Sequence, residues 1–506
     1  MASGLPAADF VLPEAAVLCS SCGYYEQESV RCSRCRRFLC FGCPCLSLQT
    51  MPCGAFVCPD CCGIDAYDAE LARRIRVIRR RIRTEAVAAV ELDMYAQTVF
   101  DLMSTCAWRE FHTNIRLLIR IVKVQMDAGW PLAVAPFHTL HYPLCQDTVR
   151  GIAQQHSRQT LEKALKEVMV KGDVPAGFSV VVPDKIRLGP GERLRIGYVS
   201  ADFVNHPTAD LMQSALLQHD KDRFEIYLYA ITRDDASTYR KVLMREIPRF
   251  RALSNKDTDR RCAEAVASDG IHVLINLNSH TAGERNGIFA FRPAPIQAVY
   301  LAYPGTHGAS YLDYNIVDRS VCPLEHRRHY TEALVYMPHC YQTNSFRDIY
   351  AEVLDESSCP TRAAQGLPED GVVLCTFNRL GRITPDIFKT WLRVLERVPG
   401  SVLWLYKHPT LAVLRLLREA RRRGIHANRF VFSGPVMPKM EHLKRLTLAD
   451  LYLDTVVYNG HTTGSDALWA GVPMVTLQGT TFQSRVGASL ARAAELPEMV
   501  TYSLQE

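Results

Sequence analysis

The sequence predicts an α/β protein with two parallel-sheet domains in series, preceded by helices and by a small cysteine-rich module. Three observations lead to this fold class. From residue 193 onward, short runs of β-branched and aromatic residues alternate with helical stretches. The alternation breaks at about residues 342–366 and then restarts. Eleven of the 18 cysteines fall within the first 62 residues.

Length and composition set the number of domains. The chain has 506 residues, of which 48% are hydrophobic, enough for two or three cores of ordinary domain size. A net charge of +6 permits nucleic acid or acidic lipid as a partner without requiring either. The N-terminus lacks the basic start of a signal peptide, and no run of about 18 apolar residues occurs. We therefore expect no membrane span and an intracellular location, in the cytoplasm, the nucleus or both.

The first domain, residues 1–64, carries four Cys-x2-Cys pairs. Each pair supplies two ligands from one turn, so eight thiolates are enough for two Zn²⁺ ions in closed four-thiolate sites. Disulfides or inert thiols are the alternatives, and both interleaved and sequential pairing of the ligands remain open. A structural zinc module of this size is typical of partner binding. The eight candidate ligands are Cys19, Cys22, Cys32, Cys35, Cys40, Cys43, Cys58 and Cys61.

The second segment, residues 65–190, has helical periodicity. Its first helix, to about residue 102, places apolar residues at Ile75, Ile78 and Ile82. Arginines cover the opposite face, which could contact RNA, anionic lipid or a protein partner; a solvated helix face is the simpler interpretation. The arginines are Arg73, Arg74, Arg76, Arg79, Arg80, Arg81 and Arg83.

The two α/β domains are predicted at 191–345 and 346–506. Strand-like runs in the first are LRIGYVS, FEIYLYAI, HVLINLN, IQAVYLAY and YNIVD; those in the second are VVLCTFN, VLWLYK, RFVFSG, ADLYLDT and PMVTL. Sheets of this kind bind ligands outside the carboxyl ends of their strands. We therefore expect a site in the cleft between the two domains.

One turn in the last domain has the features of a phosphate cradle. The segment YNGHTTGSDALWAG follows a strand and opens a helix, so the backbone N–H groups of His461, Thr462 and Thr463 could meet an anion. Asp466, one turn later, could accept from a ribose hydroxyl. An ordinary helix cap is the alternative.

A histidine in the other domain is a candidate acid or base. His206 follows the strand LRIGYVS within a loop. A structural or merely exposed histidine is the competing interpretation, and it applies equally to His138, His141 and His280.

Several long motifs in a fixed order resemble the catalytic region of the O-linked N-acetylglucosamine (O-GlcNAc) transferases. They are ADFVNHPT, RPAPIQAVYLAYPGTHG, FNRLGRITPDIFKTW, VLERVPGSVLWL, VMPKMEHLKR, LYLDT and YNGHTTGSDALWAGVPMVTL. The resemblance begins near Cys106, takes in FHTLHYPL, and runs almost to Glu506, which is about four-fifths of the chain. It implies a GT-B fold, with two Rossmann-like lobes and the nucleotide on the second.

The resemblance also implies a reaction. N-acetylglucosamine (GlcNAc) would pass from UDP-GlcNAc, the donor substrate, to Ser or Thr hydroxyls of intracellular proteins, with inversion and without a metal at the reacting centre. Two alternatives remain: an O-fucosyltransferase that uses GDP-fucose, and a non-catalytic adaptor whose zinc module recruits a partner.

Roles carry over to the matching positions. His461, Thr462 and Thr463 would bind the pyrophosphate, Asp466 the ribose, and Lys439, His442 and Arg445 the uridine, with the backbone around Met437 facing the uracil. Pro438, Leu443 and Lys444 would adjoin that uridine site. The candidate catalytic residues are His206, His138 and Arg382.

This sequence also departs from the family pattern. Arg382 stands where the family has a phosphate-stabilising Lys, and Arg379 replaces a Gln; an Arg fork can still neutralise a leaving diphosphate. Phe137 and His138 stand where some members have two adjacent histidines, and Tyr458 replaces a small residue near the sugar. The helical repeats that present protein substrates in the family, and its last catalytic helices, are not found in this sequence, so acceptor choice does not carry over.

Overall fold

The computed structural model describes most of the chain beyond residue 88, and the described residues divide into two units. The first unit combines Met1–His112 with Pro360–Leu453, and the second combines Thr113–Cys359 with Asp454–Glu506. The described residues are 89–171, 186, 188–253, 256–434 and 438–506, with helical residues between 73 and 80 and short strands between 17 and 57. The four domains expected from the sequence stay predictions.

The strands and helices have the following bounds in the part that the structure describes. The strands are β1 Val17–Leu18, β2 Tyr25–Glu26, β3 Ser29–Arg31, β4 Phe38–Cys40, β5 Gln49–Thr50, β6 Phe56–Val57, β7 Leu194–Ser200, β8 Phe224–Ala230, β9 Arg249–Ala252, β10 Val273–Asn276, β11 Ile296–Val299, β12 Tyr314–Asp318, β13 Ala333–Met337, β14 Val373–Thr376, β15 Val402–Tyr406, β16 Phe430–Ser433, β17 Leu451–Leu453, β18 Met474–Leu477 and β19 Val500–Thr501. The α-helices are Ala89–Ser104, Phe111–Asp127, Pro136–Thr139, Gln146–Lys171, Pro207–Leu217, Thr238–Glu246, Asp259–Ser268, Asn286–Ala290, Phe346–Ile349, Pro385–Arg397, Thr410–Arg422, Lys439–Leu446, Thr462–Trp469 and Val486–Ala493.

The first unit holds four parallel strands in the order β16-β15-β14-β17. Helices connect them, as the alternating pattern predicts. The helix Pro385–Arg397 shows why these connections form: Thr384 caps it, Pro385 fixes its first turn, and five apolar side chains on one face are buried. The buried side chains are Ile387, Phe388, Trp391, Leu392 and Leu395. In the same unit β1 pairs with β2, β3 with β4 and β5 with β6, all antiparallel.

The second unit holds seven parallel strands in the order β13-β12-β11-β10-β7-β8-β9. All seven residues of the predicted run LRIGYVS form β7, and its last four are buried. The long helix Gln146–Lys171 packs on the core of this sheet through residues such as Ala164. Gly308 is needed at that contact, because its φ is +78° and an added Cβ would lie 2.4 Å from the backbone N of Gln154.

The same unit includes the chain from residue 454 onward. Here β18 and β19 pair in parallel. The helices Thr462–Trp469 and Val486–Ala493 both lie against β18. Gly464 allows close packing, since its added Cβ would lie 3.1 Å from Leu490 and from Met474. Among the described helices, none combines the length and apolar character needed to cross a bilayer.

Candidate functional site

In the second unit, the strand order reverses between β7 and β10. The two strands are parallel, so their carboxyl ends lie at one edge of the sheet. Open parallel sheets bind ligands at such a reversal. The chain leaving β7 carries Asp202 and His206, and the chain leaving β10 carries Asn278 and His280. Four polar side chains therefore follow the two strands at the point where a ligand site is expected.

His206 caps the helix Pro207–Leu217. Its Nδ1 accepts from the backbone N–H of Thr208 at 3.3 Å and lies 3.6 Å from Oδ2 of Asp202. A neutral imidazole that accepts through Nδ1 carries its hydrogen on Nε2. The side chain is 46% exposed. His206 is therefore accessible, and its Nε2 is a hydrogen-bond donor in this arrangement.

Asp202 joins the ends of β7 and β10. Its Oδ2 accepts from Nδ2 of Asn278 at 3.0 Å and from the hydroxyl of Thr208 at 3.3 Å. Burial raises the pKa of the Asp202 carboxyl, and the nearby His206 and these two hydrogen bonds oppose that rise. Sequence reasoning missed both Asp202 and Asn278. The available signal was a polar side chain two positions after the end of each strand.

His280 is a core histidine rather than an accessible one. Its ring stacks on His307 with centroids 4.2 Å apart, and its Nε2 donates to the carbonyl of His307 at 2.7 Å. Burial, together with His156, lowers the pKa of His280 to about 3, although the bond to the carbonyl opposes this. The ring is therefore neutral at physiological pH, which fits the structural interpretation.

The segment FHTLHYP contacts the loop that precedes the candidate phosphate cradle. The ring of His141 lies edge-on to Tyr458 at 5.3 Å, and Phe137 lies 5.8 Å from His141. Tyr458 in turn lies 4.9 Å from His461. His138, the sequence candidate, is half-buried in the short helix Pro136–Thr139. The ring contact to Tyr458 is thus made by His141.

The candidate cradle is the start of the helix Thr462–Trp469. His461 immediately precedes it and donates through Nε2 to the carbonyl of Gln483 at 3.1 Å. An α-helix leaves its first N–H groups without intrahelical partners, and its dipole favours an anion there. Thr462 and Thr463 are half-buried, and Asp466, one turn later, is only 4% exposed. The four predicted ligands therefore lie within two turns of one helix start.

In the first unit, the strand order reverses between β14 and β17. The loop leaving β14 carries Asn378, Arg379 and Arg382. Nη1 of Arg382 donates to Oδ1 of Asn378 at 3.4 Å. The Arg382 side chain is half-buried, whereas Arg379 is exposed. Gly381 seats this loop closely, because its added Cβ would lie 2.7 Å from Cα of Ser104. Both predicted cations thus follow the strand at the reversal point of this sheet.

The helix Lys439–Leu446 carries most of the predicted uridine residues. Nε of Arg445 donates to Nδ1 of His442 at 3.1 Å, and its Nη1 donates to the carbonyl of Gly434 at 3.0 Å. The guanidinium also lies over the Phe377 ring at 4.7 Å. Burial, with the charges of Arg445 and Lys439, lowers the pKa of His442 to about 3. His442 is therefore neutral at pH 7, with its hydrogen on Nε2.

The other predicted uridine residues differ in exposure. Pro438 is exposed and Lys439 half-buried, while Lys444 is 9% exposed. Leu443 is completely buried, so its side chain belongs to the core of this unit. Met437 lies outside the described residues.

The predicted zinc ligands fall almost wholly outside the described residues. Only Cys40 lies in a described strand, β4. Within the part of the chain that the structure describes, three or more His, Cys, Asp or Glu side chains nowhere group as a metal site would require.

Comparisons with known proteins agree with the motifs. The model of glycosyl transferase family 41 matches residues 105–358 and 351–506. A probable UDP-N-acetylglucosamine–peptide N-acetylglucosaminyltransferase, SEC of Arabidopsis thaliana, is 38% identical over 406 residues, which are 80% of this chain and 41% of that protein. The corresponding transferase of Caenorhabditis elegans is 33% identical over 79% of this chain and 43% of its own length. This chain thus spans less than half the length of these two relatives.

A solved structure agrees as well. A mutant O-GlcNAc transferase of Thermobaculum terrenum superposes with a TM-score of 0.57 and 26% sequence identity, covering 87% of this chain and 85% of that one. This likeness supports the α/β, GT-B-like fold with its parallel sheets. The family model matches residues 105–358 and 351–506, so the chain belongs to glycosyl transferase family 41.

Proposed function

We propose that this protein transfers GlcNAc from UDP-GlcNAc to Ser or Thr hydroxyls of proteins, with inversion at the anomeric carbon. Membership of family 41 supports the donor and the protein acceptor, as do the names of the two relatives, which match 80% and 79% of this chain. The observation that carries the proposal is the placement of polar and cationic side chains. His206 and Arg382 each leave the carboxyl end of a strand at which a parallel sheet reverses its order.

The diphosphate is the best-supported part of the donor site. The backbone N–H groups of His461, Thr462 and Thr463 at a helix start would bind it, and Asp466 would accept from the ribose. Arg382 and Arg379 would add positive charge. A preorganised cation helps most as the phosphate oxygen gains charge, so Arg382 would act mainly in the transition state.

The uridine would bind at the helix Lys439–Leu446. A neutral His442 with hydrogen on Nε2 can donate to a uracil carbonyl or a ribose oxygen. Arg445 donates two of its five N–H groups to His442 and Gly434, so it would hold that imidazole in place and offer its remaining donors to the uridine. Lys439 remains a candidate contact to the uridine. Met437, Pro438, Leu443 and Lys444 would adjoin the uridine site through their backbone atoms.

In the reaction, the acceptor oxygen forms a bond to the anomeric carbon, and the bond from that carbon to the phosphate oxygen breaks. The electron pair of the broken bond leaves with UDP, and the hydroxyl proton passes to water. His206 Nε2 is a donor when Nδ1 accepts from Thr208. This tautomer suits orientation of the acceptor hydroxyl or the sugar rather than proton abstraction. His138 stays a second candidate for the same role.

The cysteine-rich segment is proposed to hold two structural zinc ions, bound by the eight cysteines of the four pairs. A protein or nucleic-acid partner would bind this module, with the arginine-rich helix beside it in sequence. Elemental analysis of the purified chain should find about two zinc ions, at four thiolates per ion. A folded chain without zinc, or with these cysteines in disulfides, would contradict the module.

Deleting residues 1–64 should leave UDP affinity intact, since the candidate nucleotide residues lie beyond residue 370. An intracellular location also stays a prediction.

The proposed activity is tested by incubating the full chain with a peptide library and either UDP-GlcNAc or GDP-fucose, followed by mass spectrometry. We expect added N-acetylhexosamine on Ser or Thr with UDP-GlcNAc. The Arg382→Ala variant serves as the control for background modification. Labelling with GDP-fucose alone would favour the fucosyltransferase, and no transfer with either donor would favour the adaptor.

A further inference from the structure

A short segment of the second unit, Gln342–Tyr350, bonds to two helices whose starts carry candidate site residues. One is Pro207–Leu217, headed by His206, and the other is Thr462–Trp469, headed by His461. Neither the motifs nor the proposed reaction gives this segment a role. We call it the brace.

The brace makes several hydrogen bonds to the first helix. The N–H of Ser345 donates to the carbonyl of Asp210 at 2.9 Å, and its hydroxyl oxygen accepts from the N–H of Ser214 at 2.9 Å. The phenol of Tyr350 donates to Oδ1 of Asp210 at 2.7 Å. Asp210 lies in the first turn after His206, so these bonds act close to the histidine.

The brace also bonds to the second helix. Nε2 of Gln342 donates to the hydroxyl of Ser465 at 2.8 Å, a buried contact in the first turn. The indole N–H of Trp469 donates to the carbonyl of Tyr350 at 3.0 Å. The Phe346 ring lies between, 5.7 Å from Tyr350 and 6.2 Å from Trp469. Both ends of the second helix are therefore attached to the brace.

We propose that Tyr350 is a positioning residue that sets the placement of His206 relative to the diphosphate-binding helix start. The inference rests on the proposed function. Tyr350 bonds to both helices, one through its phenol and the other through its carbonyl. A displacement of about 1 Å between reacting groups costs up to about 100-fold in rate, so the link is expected to affect turnover.

The chemistry of the phenol agrees with a lasting link. Burial and the hydrogen bond to Asp210 raise the pKa of Tyr350 above its ordinary value. The group therefore stays protonated and remains the donor in this bond. Replacement by Phe removes that hydrogen bond while keeping a ring beside Phe346.

Steady-state kinetics of Tyr350→Phe provide the first test. We expect kcat to fall about tenfold, with KM for UDP-GlcNAc and Kd for UDP within about twofold of wild type, because the diphosphate contacts stay on one helix. Tyr229→Phe is the matched control: its hydroxyl donates to Asp269 at 2.8 Å, and Asp269 ends a helix without candidate site residues. Equal losses of kcat in the two variants would overturn the proposal.

A double-mutant cycle tests the two-sided link. Trp469→Phe removes the donor to the Tyr350 carbonyl and is also expected to lower kcat. If one brace joins both helices, the combined loss in kcat should be smaller than the product of the single losses. Fully multiplicative losses would contradict a shared link.

Hydrogen exchange separates this inference from the proposed function. In Tyr350→Phe, peptides covering both 207–217 and 462–469 should exchange faster than in wild type, while those covering 259–268 should not change. Faster exchange in one helix alone, or in neither, would overturn the link even in an inactive protein. A wild-type chain that transfers no sugar would instead overturn the proposed function and leave the exchange result to decide the link.

Discussion

Arg445 fixes the hydrogen position on His442. The guanidinium Nε–H donates to Nδ1 of the imidazole across 3.1 Å, while the same side chain is 3% exposed and lies over Phe377. A neutral imidazole held in this way keeps its hydrogen on Nε2. The pair thus provides one oriented donor on the helix Lys439–Leu446, and the low pKa of His442 has a measurable consequence for stability.

Acid should destabilise the protein partly through His442. Its pKa falls from 6.5 in the unfolded chain to about 3 in the folded one, so between these values the unfolded state binds more protons. Above about pH 6.5 the titration of His442 therefore costs no stability, and the free energy of unfolding declines through this group as pH falls toward 3. At pH 5 this one group would lower the free energy of unfolding by about 2 kcal/mol. Thermal midpoints of wild type and His442→Gln between pH 4 and 8 measure it.

The His442→Gln variant should lose less of its melting temperature on acidification than wild type does. Exposed His339 provides the matched control, since His339→Gln should leave the acid decline unchanged. Parallel pH curves for wild type and His442→Gln would show that this histidine is not held neutral.

Asp202→Asn should lower turnover more than it lowers donor affinity. The carboxylate accepts from Asn278 and from the hydroxyl of Thr208, the residue whose N–H donates to Nδ1 of His206, so the change keeps the shape but alters the network that orients the imidazole. We expect kcat to fall about tenfold to 100-fold, because a displacement of about 1 Å at the reacting centre costs up to about 100-fold in rate. The pH dependence of kcat should also change shape. Unchanged kcat with a raised KM would place Asp202 outside the reacting centre.

Asp202 also shows what the sequence could and could not predict about the site. The order of the motifs predicts His206, Arg382 and the helix start at Thr462 as candidate site residues. The bond from Asn278 to Asp202 was not predictable, because it depends on β7 pairing with β10, a contact between strands about 75 residues apart in sequence. Local pattern does not encode which strands become neighbours.

Some strands were predicted from the sequence and others were not. The run LRIGYVS was predicted from its β-branched and aromatic residues, and all seven of its residues form β7, the last four of them buried. β9 and β13 were not predicted. β9, Arg249–Ala252, is largely exposed and carries two arginines, and both strands lie at edges of the seven-stranded sheet. An exposed edge strand such as β9 has little hydrophobic signal. β13 is the apolar run ALVYM, and it was missed although its residues favour a strand.

Gly308→Ala should destabilise the second unit strongly. Gly308 has φ +78°, and a Cβ there would lie 2.4 Å from the backbone N of Gln154, which cannot rotate away. Gly424 has the same φ but nothing within 4 Å, so Gly424→Ala isolates the backbone cost, about 1–2 kcal/mol. We expect Gly308→Ala to exceed that control by at least about 2 kcal/mol in urea unfolding, a typical overpacking cost. Equal losses would mean that the loop moves freely off the helix Gln146–Lys171.

Arg382→Ala should lower kcat far more than donor affinity. Its guanidinium is half-buried and bonds to Asn378 in the loop after β14, so it is partly preorganised. Its charge matters most when negative charge develops on the departing diphosphate. Loss of one preorganised donor of this kind costs about 100-fold to 1,000-fold in rate. Arg382→Lys should recover part of that loss, because the charge remains while the fork geometry does not.

Asp466→Ala is the contrasting variant for the same kinetic experiment. A ribose contact is similar in the ground and transition states, so its loss should raise KM and the Kd for UDP about tenfold with little change in kcat. Because Asp466 is only 4% exposed, its replacement could also destabilise the fold. Thermal melting of Asp466→Ala and Asp466→Asn therefore separates misfolding from lost affinity. If Arg382→Ala retains near-normal kcat while Asp466→Ala behaves as expected, the donor site stands but its phosphate cation is misassigned. Kinetics of Arg379→Ala and Lys439→Ala would then identify the cation that serves, since only the true one combines a large fall in kcat with an unchanged Kd for UDP.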